Sequence, residues 1–136
     1  MIFTSYFAKI RKFPENVIPV AISAIVPDWY DGLSYSLLAP DYETLMNYKI
    51  THNEDSYFNR YNETVLKRVD PLFVLNDIQL DISDPTSYPD IPFWKNPDFH
   101  VALICYEKSS DFCHRHLVAE WFRSHGIECY EWEDIQ

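Results

Sequence analysis

Between residues 105 and 116 the chain reads Cys-Tyr-Glu-Lys-Ser-Ser-Asp-Phe-Cys-His-Arg-His. A thiol, an imidazole, a guanidinium, a carboxylate and an ammonium group fall within this one stretch. At the start of a helix, the Cys113 thiolate would be stabilised by helix N–H groups and by neighbouring cations, which suits a nucleophile. His114 beside it can serve as general acid–base or as a ligand contact. Glu107 is placed for base work or for a ribose hydroxyl. Arg115 offers a bidentate fork to phosphate or carboxylate, with Lys108 as a second cation. Each residue also has an ordinary structural use. Cys113 and His114 share a stripe with Leu117, Val118, Trp121 and Phe122 that suits burial. Arg115 could pair with Glu107 or Asp111, and Glu107 could simply cap a loop.

Cys105, Cys113, His114 and His116 are metal-ligand types, but they lack the short Cys-x₂₋₄-Cys pairs of structural zinc sites. Adjacent residues such as Cys113 and His114 rarely both reach one ion. No metal and no cofactor is therefore expected. The three cysteines are an odd count without disulfide-framework spacing. A Cys105–Cys113 disulfide is disfavoured in a reducing compartment.

The elements that must position these groups follow from hydrophobic pattern and punctuation. Residues 2–7, 17–23, 99–106 and 127–131 read as strands, and the near-continuous apolar run of 17–23 suits a parallel strand covered on both faces. Residues 41–49, 53–69, 71–82 and 111–125 read as helices. Asp41 and Asp111 are candidate caps, Pro71 suits a first turn, and Gly126 suits a stop. Residues 26–41 and the proline-rich 83–98 read as loops. The order implies one α/β domain over residues 1–136: a small Rossmann-like fold with a mostly parallel sheet of about four strands, flanked by helices on both sides. Right-handed crossovers gather the strand carboxyl ends on one rim, with Ser5, Ser23, Glu107 and Glu131. A crevice beyond that rim is where ligands sit in open α/β sheets. Trp29, Tyr35 and Tyr57 could flank a flat ring there, with Tyr61 packing over the sheet.

Composition narrows the function classes. The 47% hydrophobic content supports a packed core. The formal net charge of −10 repels phosphate backbones, which disfavours nucleic-acid binding and leaves a small anionic ligand open. With only two glycines, neither a P-loop nor a Gly-rich dinucleotide fingerprint can form. No signal peptide or spanning apolar run is visible, so a cytoplasmic protein without membrane contact is expected.

Thr4-Ser5-Tyr6-Phe7, Ile22-Ser23 with Pro27-x-Trp29, Leu38-Ala39-Pro40, Tyr57-x₃-Tyr61 and above all the Cys-x-Glu…Cys-His-Arg core resemble the DUF488 family of bacterial and phage proteins. The resemblance covers most of the chain. It departs at Ala24, where the family often has a basic residue, and in a longer proline-rich stretch. It implies a Rossmann-like α/β domain and a rim site built on Cys113, His114 and Arg115, and it supplies no reaction. Three functions are expected to compete. The first is a binding protein for a nucleotide-like anion, using Arg115, Lys108, Ser5, Ser23, Trp29, Tyr35 and Tyr57. The second is an enzyme on a nucleotide or nucleobase-type substrate, with Glu107, Cys113 and His114 catalytic. The third is a non-catalytic, ligand-sequestering or interaction module of the kind a phage encodes.

Overall fold

Valine, alanine, leucine and isoleucine in unbroken succession make residues 101–104 unsuited to any surface, and the structure places them at the centre of the sheet. The computed structural model describes residues 1–83, 86, 89–106 and 112–133. Its five strands are β1 (Ile2–Tyr6), β2 (Val17–Ala21), β3 (Leu33–Ser34), β4 (His100–Cys105) and β5 (Cys129–Glu131), in the order β3-β2-β4-β1-β5. Every pairing is parallel. Val101 through Cys105 are buried, as a strand covered on both faces requires.

β3 lies inside the stretch 26–41, whose composition predicts a loop. It adds only the pairs Val20–Leu33 and Ala21–Ser34, and both of its residues are exposed. Pro19, one residue before that ladder begins, needs no N–H partner there.

The helices are α1 (Tyr42–Thr51), α2 (Glu54–Thr64), α3 (Pro71–Ile82) and α4 (His114–Ser124). Side-chain caps start the first three: Asp41 accepts from the Thr44 N–H, Asn53 from that of Ser56, and Asp70 from those of Leu72 and Phe73. α2 ends earlier than expected, and a 3₁₀ turn, Leu66–Arg68, completes the segment. α4 starts later than expected. Its N-cap is Cys113, in extended conformation and without a side-chain cap bond. The expected cap, Asp111, lies outside the described residues. Gly126 follows α4 with φ +79°, as a helix-stopping glycine should.

Helical cover of the two sheet faces is unequal. Side chains of all four α-helices pack in one core with Ile2, Val20, Val101 and Leu103. The opposite face, with Ala21, Ala102 and Ile104, is covered by the 3₁₀ segment Phe7–Lys12, Tyr30 and Trp132. No helix among the described residues is long and apolar enough to cross a membrane.

Candidate functional site

A pocket of about 460 Å³ opens beyond the carboxyl ends of β2 and β4. Its floor is the end of β4 and the start of α4, with Cys105, Cys113 and His114. Ser23, Ala24 and Ile25, just past β2, form one side. α1 supplies Leu45, Tyr48 and Lys49, followed by His52, and α2 supplies Tyr57. Phe112 closes the wall: its ring stacks on Tyr48 at 5.0 Å and meets Tyr57 edge-on at 5.1 Å. The lining is thus aromatic and apolar, with a few convergent polar groups, as small-molecule sites usually are.

His114 is buried and held from two sides. Tyr61 packs against its ring at 5.5 Å, and Nε2 lies 2.7 Å from the Ile22 carbonyl oxygen. A carbonyl can only accept, so Nε2 carries the hydrogen and Nδ1 is left bare. Nδ1 lies 3.7 Å from the Cys113 sulfur. Burial drives the His114 pKa down to about 4; the Ile22 bond opposes this, and the Arg115 and His116 charges add to it. The imidazole is therefore neutral at pH 7 and cannot act there as a proton donor in the imidazolium form.

Cys105 and Cys113 are joined as a disulfide, with Cα atoms 7.5 Å apart. This corrects the expectation of two separate thiols. The parallel register ends β4 at Cys105 beside Tyr6, and Cys113 at the mouth of α4 returns its sulfur to the same point. The remaining thiol, Cys129, is buried, and burial raises its pKa to about 12. The expectation that Cys113 and His114 would not converge is also corrected. The ligand atoms of Cys105, Cys113 and His114 lie within 4.8 Å of one another.

Arg115 does not reach the pocket. It is fully buried, and its Nε and Nη2 donate to the two Glu131 oxygens at 3.1 and 3.0 Å. Nη1 points at the Cys105 sulfur, 3.0 Å away, and the guanidinium lies over the Tyr6 ring. Thr4 Oγ1 donates to the same carboxylate at 2.7 Å. The first turn of α4 faces β1 and β5 at this residue, so the fork expected to bind a ligand binds β5 instead.

Other expected contacts separate as well. Tyr35 is buried with its hydroxyl on Asp77, at 2.8 Å. Trp29 is 61% exposed and leans on Phe7, in the core of the opposite sheet face. Ser5 is buried inside β1, away from the pocket. Ser23 and Tyr57 do line the pocket, although the Ser23 hydroxyl donates to the Ile25 carbonyl. Glu107 and Lys108 lie outside the described residues.

Sequence reasoning missed Leu45, Tyr48, Lys49 and His52. They recur at the spacing of one helical face, the signal that could have marked α1 as a pocket wall. The chain matches no protein-family model, no curated protein and no solved structure.

Proposed function

We propose that this is a small-molecule-binding protein that holds a nucleotide-like anion in the pocket between β2, β4 and α1. The carrying observation is the pocket itself, about 460 Å³ at the carboxyl rim of a parallel sheet and walled by Tyr48, Tyr57 and Phe112. A flat ring is the shape such a wall favours. Lys49 and His52 at its edge take over the anion-binding role expected of Arg115. A local cation can outweigh the net charge of −10 because screening confines distant charges to a range of about 8 Å. Membership of the DUF488 family belongs to this proposal and rests on the Cys-x-Glu…Cys-His-Arg residues. The test is a thermal-shift panel of mono-, di- and cyclic nucleotides on the oxidised protein with a chelator present. A binding nucleotide raises the melting temperature, and Lys49→Ala reduces that rise. A panel without any shift would refute the reading.

A second reading is an enzyme acting on a nucleotide or nucleobase-type substrate through Cys113. The bare His114 Nδ1, 3.7 Å from the Cys113 sulfur, favours it by position, because it is placed to accept a hydrogen bond from the reduced thiol and orient it. After reduction, Cys113 should then alkylate faster with iodoacetamide than a model thiol at neutral pH. Alkylation no faster than the model removes this reading.

A further inference from the structure

The disulfide uses the two sulfurs but leaves the third convergent atom, His114 Nδ1, with nothing to ligate. We propose that, once the Cys105–Cys113 bond is reduced, Cys105, Cys113 and His114 form a Cys₂His site for one zinc ion, with the fourth position open to the pocket. The atoms already converge within 4.8 Å. Tetrahedral zinc, with bonds of about 2.3 Å to sulfur and about 2.0–2.1 Å to nitrogen, sets a sulfur–nitrogen separation of about 3.6 Å. The Cys113 sulfur and His114 Nδ1 stand at 3.7 Å. The two sulfurs must move apart to about 3.8 Å on the same geometry, which reduction permits.

The outer shell fits as well. A metal-bound histidine usually donates its other N–H to a carbonyl or carboxylate. Here Nε2 lies 2.7 Å from the Ile22 carbonyl oxygen, which selects Nδ1 as the ligand atom. Arg115 Nη1 donates toward the Cys105 sulfur, and the arginine charge is matched by Glu131. It therefore acts on a thiolate as a hydrogen-bond donor without adding an unbalanced charge. Two thiolates and a divalent cation sum to zero, which suits a buried floor.

The balance has two steps. A dithiol reductant gives two electrons and two protons to the disulfide, yields two thiols and becomes a disulfide itself. Zinc then replaces the two thiol protons, which are released, while neutral His114 contributes its lone pair. Because three protein ligands leave a position facing the pocket, the arrangement is that of a catalytic rather than a closed structural zinc site. A pocket ligand bearing a thiol, carboxylate or phosphate oxygen could complete it.

The test is zinc uptake by the whole chain, measured against a coloured competing chelator, before and after reduction with a phosphine. The reduced protein should bind one zinc per chain, and the oxidised protein none. Cobalt in place of zinc should give a sulfur-to-metal charge-transfer band. Cys113→Ser and His114→Gln should each weaken uptake at least tenfold, while Cys129→Ala should bind like wild type. Reduced wild type that takes up no more zinc than oxidised protein would overturn the proposal, and this comparison requires no variant to fold. Uptake lost on Cys129→Ala but kept in both site variants would overturn it equally. The nucleotide panel uses oxidised, chelated protein, so the two proposals fail separately.

Discussion

His114 is the residue whose chemistry is most changed by folding. In an unfolded chain its imidazole titrates near 6.5, and in the native protein burial holds it down to about 4. Between those values the unfolded state binds the extra proton, so stability falls as pH falls. Its contribution is fully present above about pH 6.5 and is lost by about pH 4. At roughly 1.4 kcal/mol per pH unit the loss amounts to about 3 kcal/mol. Burial lowers the His100 pKa too, so the wild-type slope contains both residues. The difference between wild type and His114→Gln isolates the one. Urea unfolding measured from pH 7 to 4.5 should show a flatter dependence for the variant. Identical slopes would mean that His114 is not held neutral in the native state.

Among the elements, those with local signals were legible in advance. α3 keeps its expected limits because Asp70 caps it and Pro71 occupies its first turn. β4 was readable from its unbroken apolar run, and the stop after α4 from Gly126. What could not be read depends on partners remote in sequence. β3 exists only because Val20 and Ala21 present an edge to Leu33 and Ser34. Of the candidate site, Cys113, His114, Ser23 and Tyr57 line one pocket, whose α1 wall has no counterpart in the sequence reading. The orientation of Arg115 is not legible near α4, because it depends on Glu131, which arrives with β5. The correction is testable. Arg115 joins α4 to β5 through Glu131 and to β4 through Cys105. Breaking a largely buried pair of this kind costs about 3–5 kcal/mol. Arg115→Met should lose stability near the low end of that range, since Glu131 keeps 18% of its side chain in contact with solvent. Its nucleotide-induced thermal shift should match that of wild type. A selective loss of that shift, with stability unchanged, would return Arg115 to the ligand site.

At the scale of the molecule, the sheet divides the work between its faces. The helices build one core and also wall the pocket, while the opposite face is closed by a 3₁₀ segment and aromatic rings. The pocket floor joins the sheet's central strand to the helix that follows it, so a covalent bond there should matter to the whole fold. Cys105 and Cys113 are separated by eight positions. Chain-entropy arguments for a loop of that size give about 2.5 kcal/mol of stabilisation, acting through the unfolded state. Reduction in the presence of a chelator should therefore lower the unfolding free energy by about that amount, or roughly 8 °C in melting temperature. The loss should be absent in Cys105→Ser, where no bond can form. Zinc added to the reduced wild type should raise the melting temperature again, because binding to the native state alone stabilises it. Recovery with zinc in wild type and not in Cys113→Ser would show the same floor working in two chemical states. Equal melting temperatures with and without reductant would show that the bond does not restrain the unfolded chain.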